Sequence, residues 1–94
     1  MDENLRIVGE RIVGELALRV PPGTRAAERD RMIDAALGAR FFELAAALGA
    51  APVAAVSAFV FPRPGKDAEG RTVFDVSARV EGEQLVPDRR GIGG

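Results

Sequence analysis

The most regular pattern of large apolar side chains spans residues 24–49 and predicts one long amphipathic helix. These side chains recur three or four positions apart, which is the spacing of one helix face. Pro21 ends the preceding segment, Thr24 is placed to cap the first turn, and Gly49 is a typical helix stop. The stripe consists of Ile33, Leu37, Phe41, Leu44 and Leu48.

A second strip of the same helix carries small residues and one phenylalanine. Gly38 lies in its middle, although glycine in a helix interior costs about 1 kcal/mol relative to alanine. Small side chains let another backbone approach closely, and two partners are open: the protein's own N-terminal segment or a neighbouring subunit. The strip consists of Ala35, Gly38, Ala39, Phe42 and Ala46.

Two segments after the helix have the patterns of strands. Residues 53–61 are apolar at nearly every position and predict a strand buried on both faces, whose second face, with Val56 and Val60, extends the candidate interface. Residues 72–80 alternate apolar and polar positions, which predicts a half-exposed strand. The turn-rich polar loop 63–70 joins the two into an antiparallel hairpin.

The N-terminal segment supports two interpretations. Alternating apolar positions over residues 12–20 favour a strand, paired with residues 4–8 through a turn at Gly9-Glu10. Alternatively, Leu5, Val8, Ile12 and Leu16 share one helical face, although Gly9 and Gly14 count against a helix. We favour the strands.

The order of these elements predicts a two-layer α+β fold, β(β)-α-β-β, with one long helix packed on a small, mostly antiparallel sheet. A chain of 94 residues suits a single domain, which we place at residues 1–87, followed by a flexible Gly-rich tail at 88–94. Much of the apolar content is alanine, so the core is thin and self-association is expected.

The composition excludes most catalytic chemistry. Histidine and cysteine are absent, so the usual neutral-pH base, the thiol nucleophile and the common transition-metal ligands are missing. Glu28, Asp30 and Asp34 are interspersed with arginines, which is typical of a solvated helix face. We expect no enzyme activity, no cofactor and no metal.

Charge and hydropathy narrow the choice of partners. A net charge of −1 produces no field that attracts nucleic acid or an anionic membrane. No apolar run approaches the roughly 20 residues of a membrane helix, and the acidic N-terminus lacks the features of a signal peptide. The expected compartment is the cytoplasm.

The C-terminus carries the one feature that resembles a known family. Gly93-Gly94 follow a polar stretch with Arg89-Arg90, which resembles the tail of ubiquitin-like modifiers and small sulfur carriers. The order of two strands, a helix and two strands is similar to their β-grasp fold. The resemblance implies adenylation of the terminal carboxylate of Gly94, with Arg89 and Arg90 docking to an activating enzyme.

We therefore expect a non-catalytic protein–protein interaction or assembly module, either a homo-oligomer or part of a larger complex. The alternative is a modifier or sulfur carrier that uses its diglycine. The expected interface consists of Ala35, Gly38, Ala39, Phe42, Ala46, Val56 and Val60.

Overall fold

The computed structural model describes residues 2–89, which form one helix packed on a five-stranded antiparallel sheet. This confirms the predicted two-layer α+β fold. The strand order is β1-β2-β4-β3, and β5 pairs with β4 on the edge that β3 also uses. The elements are β1 (Asp2–Val8), β2 (Arg11–Leu18), α1 (Ala26–Ala47), a 3₁₀ helix (Val56–Phe59), β3 (Val60–Pro62), β4 (Thr72–Glu81) and β5 (Gln84–Pro87).

The N-terminal segment forms the β1-β2 hairpin, so the strand interpretation is correct and the helical alternative is wrong. Gly9 adopts a φ of 62° in the turn, a conformation that glycine reaches without steric cost. β2 ends at Leu18, earlier than the alternation up to Val20 predicts.

Gly14 lies in the middle of β2, on the face that packs against α1. Its hydrogen-bonding partner β1 comes so close that a Cβ at this position would collide with the carbonyl oxygen of Asn4 and lie 2.9 Å from the Cα of Leu5. Only glycine fits this spacing.

Helix α1 begins two residues later than predicted. Arg25 is its N-cap, and the Thr24 hydroxyl instead donates to the carbonyl oxygen of Pro21 at 2.6 Å, which closes the turn before the helix. Gly49 has a φ of 72°, the left-handed conformation predicted for the helix stop. Within residues 2–89, no helix has the length and hydropathy needed to cross a membrane.

The predicted apolar stripe of α1 faces the sheet and builds the core. Ile33, Leu37, Phe41 and Leu44 are buried, and Leu48 packs at the edge of the core. Phe41 stacks on Phe59 with ring centroids 5.2 Å apart. The other buried hydrophobic side chains are Leu5, Ile12, Leu16, Ala45, Val56, Phe74, Val76, Ala78 and Leu85.

The segment 53–61 is not a continuous strand, and this prediction is wrong. Its middle forms the 3₁₀ helix, and only Val60–Pro62 pair with β4. The cause is Asp34 on α1, whose carboxylate accepts hydrogen bonds from the backbone N–H groups of Val56 at 2.9 Å and Ser57 at 3.0 Å. Because these two N–H groups are hydrogen-bonded to Asp34 of α1, they cannot form the hydrogen bonds that would pair them with a neighbouring strand.

The chain remains attached to the domain beyond β5. Asp88 is 5% exposed, its N–H donates to the carbonyl oxygen of Ser77 at 3.1 Å, and its carboxylate lies 2.9 Å from Nε of Arg11. The predicted domain boundary after residue 87 therefore lies directly before a buried residue that contacts the domain.

Candidate interaction surface

Most of the small-residue strip lies on the solvent side of α1, opposite the core stripe. Ala35, Ala39, Phe42 and Ala46 are exposed, and the Phe42 side chain is 41% exposed. The N-terminal hairpin is part of the sheet, which lies on the other side of the helix, and so it does not cover the strip. Of the two partners considered from the sequence, the protein's own N-terminal segment is therefore excluded.

An apolar groove adjoins the strip at the C-terminal end of α1. One wall comes from the helix, with Phe42, Ala45 and Ala46, and the other from the segment 50–53. The groove has a volume of about 290 Å³, and none of the described side chains that line it is charged. It extends the apolar strip sideways into a concave surface.

Backbone hydrogen bonds hold the second wall of the groove in place. The N–H of Ala50 donates to the carbonyl oxygen of Ala45 at 3.0 Å, and the N–H of Ala51 donates to that of Glu83 at 2.6 Å. The groove is therefore formed in the folded monomer and needs no partner to shape it.

Phe42 is the largest side chain of this surface and is held by the core below it. Its ring meets that of Phe41 edge to face, with centroids 6.1 Å apart and an interplanar angle of 78°. Aromatic pairs prefer such offset or edge-to-face arrangements. The Phe42 ring therefore contacts the core on its inner side and solvent on its outer side.

The remaining predicted interface residues lie elsewhere. Gly38 is buried, but a Cβ there would meet only the Phe42 ring, at an ordinary 3.6 Å, so no close backbone approach among the described residues requires glycine. Val60 is half-buried in β3 beside Val76. Val56 is fully buried in the core and adds no contact surface, because its side chain is already used for folding.

The acidic residues of α1 have separate roles. Asp30 lies 3.7 Å from the guanidinium of Arg29, and Glu28 is exposed, as expected of a solvated face. Asp34 differs, because its carboxylate accepts hydrogen bonds from the first N–H groups of the 3₁₀ helix. It therefore caps that helix, although it belongs to α1. Across residues 2–89, no three His, Cys, Asp or Glu side chains come together in a way that could hold a metal ion.

The outer face of the sheet is polar and crossed by ion pairs. Arg63 forms two hydrogen bonds to the Asp75 carboxylate, at 2.9 and 2.6 Å, and lies 3.4 Å from Glu15. The hydrogen bond to Asp75 and the charges of both carboxylates raise the pKa of the Arg63 guanidinium above its ordinary value. Arg63 and Glu15 are about half exposed, and an ion pair between such exposed groups contributes little to stability.

The predicted tail site falls largely beyond the described residues. Arg90, Gly93 and Gly94 lie outside residues 2–89, so the diglycine hypothesis remains a prediction from the sequence. Arg89 lies over the ring of Phe61, 4.8 Å from its centroid, and so contacts the domain's own sheet.

Comparison of the chain with protein-family models, with curated proteins and with solved structures found no match. The candidate functional site is the surface on the solvent side of α1. Its main features are an apolar strip on the solvent side of α1 and the apolar groove that continues it.

Proposed function

We propose that this protein is a non-catalytic assembly module that associates through the solvent side of α1, with a second copy of itself or within a larger complex. The observation that carries the proposal is that α1 has an apolar strip on its solvent side in addition to the apolar stripe that faces the core. Such a strip leaves apolar surface in contact with water, which is unfavourable unless a partner covers it.

The shape of the surface suits contact with another helix. Ala35, Ala39 and Ala46 are short, so a partner backbone can approach α1 closely and pack without voids. Gly38 fits the same role, since no contact within residues 2–89 requires glycine there. Phe42 supplies the large aromatic side chain that typically anchors an interface.

Charged residues border this apolar surface on one flank and near its N-terminal end. Arg40 and Glu43 pair at 3.0 Å on one flank of α1, and Arg31 is exposed near the start of the strip. Interfaces commonly have an apolar centre and a polar, solvent-accessible rim. The arrangement supports association that buries the strip and leaves these charges at its border.

Sedimentation velocity over a range of protein concentrations tests the proposal. We expect the wild-type protein to sediment as an oligomer at about 100 μM, a concentration that detects even weak self-association. Ala39→Arg places a charge at the centre of the strip and is expected to shift the protein to monomer. Ala47→Arg is the matched control, because it adds the same charge at an exposed alanine of α1 outside the strip.

The two variants separate a specific surface from a general effect of charge. Loss of association in Ala39→Arg alone supports the strip as the interface. A wild-type protein that stays monomeric throughout the concentration range contradicts self-association, and equal loss in both variants contradicts the assignment to the strip.

A further inference from the structure

A second cleft, of about 670 Å³, opens near the N-terminal end of α1, at the opposite end of the helix from the apolar groove. Its charged side chains all carry the same sign. Arg19, Arg29 and Lys66 line it, and no carboxylate does among the described residues.

The three cations come from three different parts of the fold. Arg19 follows β2, Arg29 lies in the first part of α1, and Lys66 lies in the loop between β3 and β4. No local sequence pattern links them. The fold brings them to one cleft together with the hydroxyl-bearing residues Thr24 and Thr72.

Arg19 and Lys66 form no ion pair with another described residue. Within the described part of the chain, neither has a carboxylate oxygen within 4.0 Å. Arg19 donates to the carbonyl oxygen of Glu69 at 2.7 Å, and Lys66 donates to the Thr72 hydroxyl at 2.9 Å. Both contacts orient the side chains and leave further N–H donors for a ligand.

Arg29 is also incompletely satisfied. Its Nη2 lies 3.7 Å from the Asp30 carboxylate, which is long for a hydrogen bond, and its Nε is buried without an acceptor among residues 2–89. A buried donor without a partner is unfavourable. An anion in the cleft would supply acceptor oxygens close to this guanidinium.

The loop that carries Lys66 is held by hydrogen bonds. Asp67 accepts from the backbone N–H groups of Arg71 at 2.8 Å and Glu69 at 2.9 Å, and from Nε of Arg71 at 3.0 Å. The N–H of Arg71 is the main cause that lowers the pKa of Asp67 below its ordinary value. The loop therefore places Lys66 in a defined position before any ligand arrives.

We propose that this cleft binds an organic phosphate monoester. Arginine forks match phosphate oxygens in a bidentate manner, and the lysine adds a point charge. Val20, Pro21 and Pro62 give the cleft an apolar part that fits the organic group of the ester. The inference is independent of the proposed assembly, since the two surfaces lie at opposite ends of α1.

Titration of the ¹⁵N-labelled full chain with inorganic phosphate and with phenyl phosphate, followed by amide chemical shifts, tests the inference. We expect saturable shifts confined to the cleft, with phenyl phosphate binding more tightly than inorganic phosphate because its ring reaches the apolar part. The double variant Arg19→Gln/Lys66→Gln is expected to weaken phenyl phosphate binding by at least about 10-fold. Added salt is expected to weaken binding as well.

The matched control combines Arg6→Gln and Arg79→Gln, which removes two positive charges on β1 and β4 outside the cleft and is expected to bind as the wild type does. Absence of saturable shifts up to about 10 mM of either probe overturns the proposal. Equal weakening in the control and the double variant overturns the site, and equal affinity for the two probes overturns the assignment to an organic monoester.

Discussion

Gly14 shows how a single residue sets the distance between two strands. It faces the core between Ile12 and Leu16, at a position where a side chain would normally add to the apolar face. The backbone of β1 occupies that space instead, so the position accepts no Cβ. In the sequence, this glycine counts against a helix at this position.

Gly14→Ala is expected to reduce the free energy of unfolding by about 2–3 kcal/mol, because the new methyl group forces β1 away from β2. Urea denaturation measures the change. Gly38→Ala is the matched control: its Cβ has room, and alanine is the better helix former, so we expect a gain of about 0.5–1 kcal/mol. Equal effects of the two variants would contradict this account of Gly14.

At the scale of elements, the conformation of one segment depends on a side chain of another. The 3₁₀ helix has no side-chain cap of its own, and Asp34 of α1 supplies one across 22 positions of the chain. Because the first N–H groups of a helix lack partners within it, an acceptor from outside decides whether the turn forms there. The same contact places Phe59 against Phe41 in the core.

Asp34→Ala is expected to destabilise the protein by about 1–2 kcal/mol, since it leaves two N–H groups at the start of the 3₁₀ helix without their acceptor. Asp34→Asn keeps an acceptor oxygen and should retain most of the stability. Chemical denaturation provides the values. Asp30→Ala, at an exposed carboxylate of the same helix, should change stability little, and a loss as large as that of Asp34→Ala would refute the capping role.

At the scale of the whole molecule, the start of β2 and the segment after β5 are tied together on the outer face of the sheet. Arg11 follows the first hairpin turn, and its guanidinium pairs with the buried carboxylate of Asp88 and lies 3.5 Å from the Ser77 hydroxyl. This contact covers Ser77, which is 1% exposed although it lies on the polar face of β4.

Arg11→Gln is expected to lower the free energy of unfolding by about 1–2 kcal/mol, because the buried carboxylate loses a charged partner. Amide hydrogen exchange gives a local readout: the N–H of Asp88, bonded to the Ser77 carbonyl in the wild type, should exchange faster in the variant. Arg40→Gln removes an exposed pair and should change neither quantity. Unchanged exchange at Asp88 would show that Arg11 does not hold this segment.

The predictions succeeded where neighbouring positions along the chain decide the structure. The helix stripe and the alternation of β4 reflect periodicities of the backbone itself, and the turn at Gly9 reflects the freedom of glycine. They failed for residues 53–61, because an apolar run fits either a strand or a buried turn and the choice depends on Asp34. Val56 was assigned to the interface for the same reason.

The sequence alone determined the fold class, the extent of the helix to within two residues at each end, and the existence of a strip of small residues on it. It did so because amphipathic periodicity follows from the geometry of each element. Only the tertiary structure decided that the strip faces solvent and that three distant cations share one cleft. These features depend on which elements contact each other in the folded chain, and the spacing of residues along a single element does not determine those contacts.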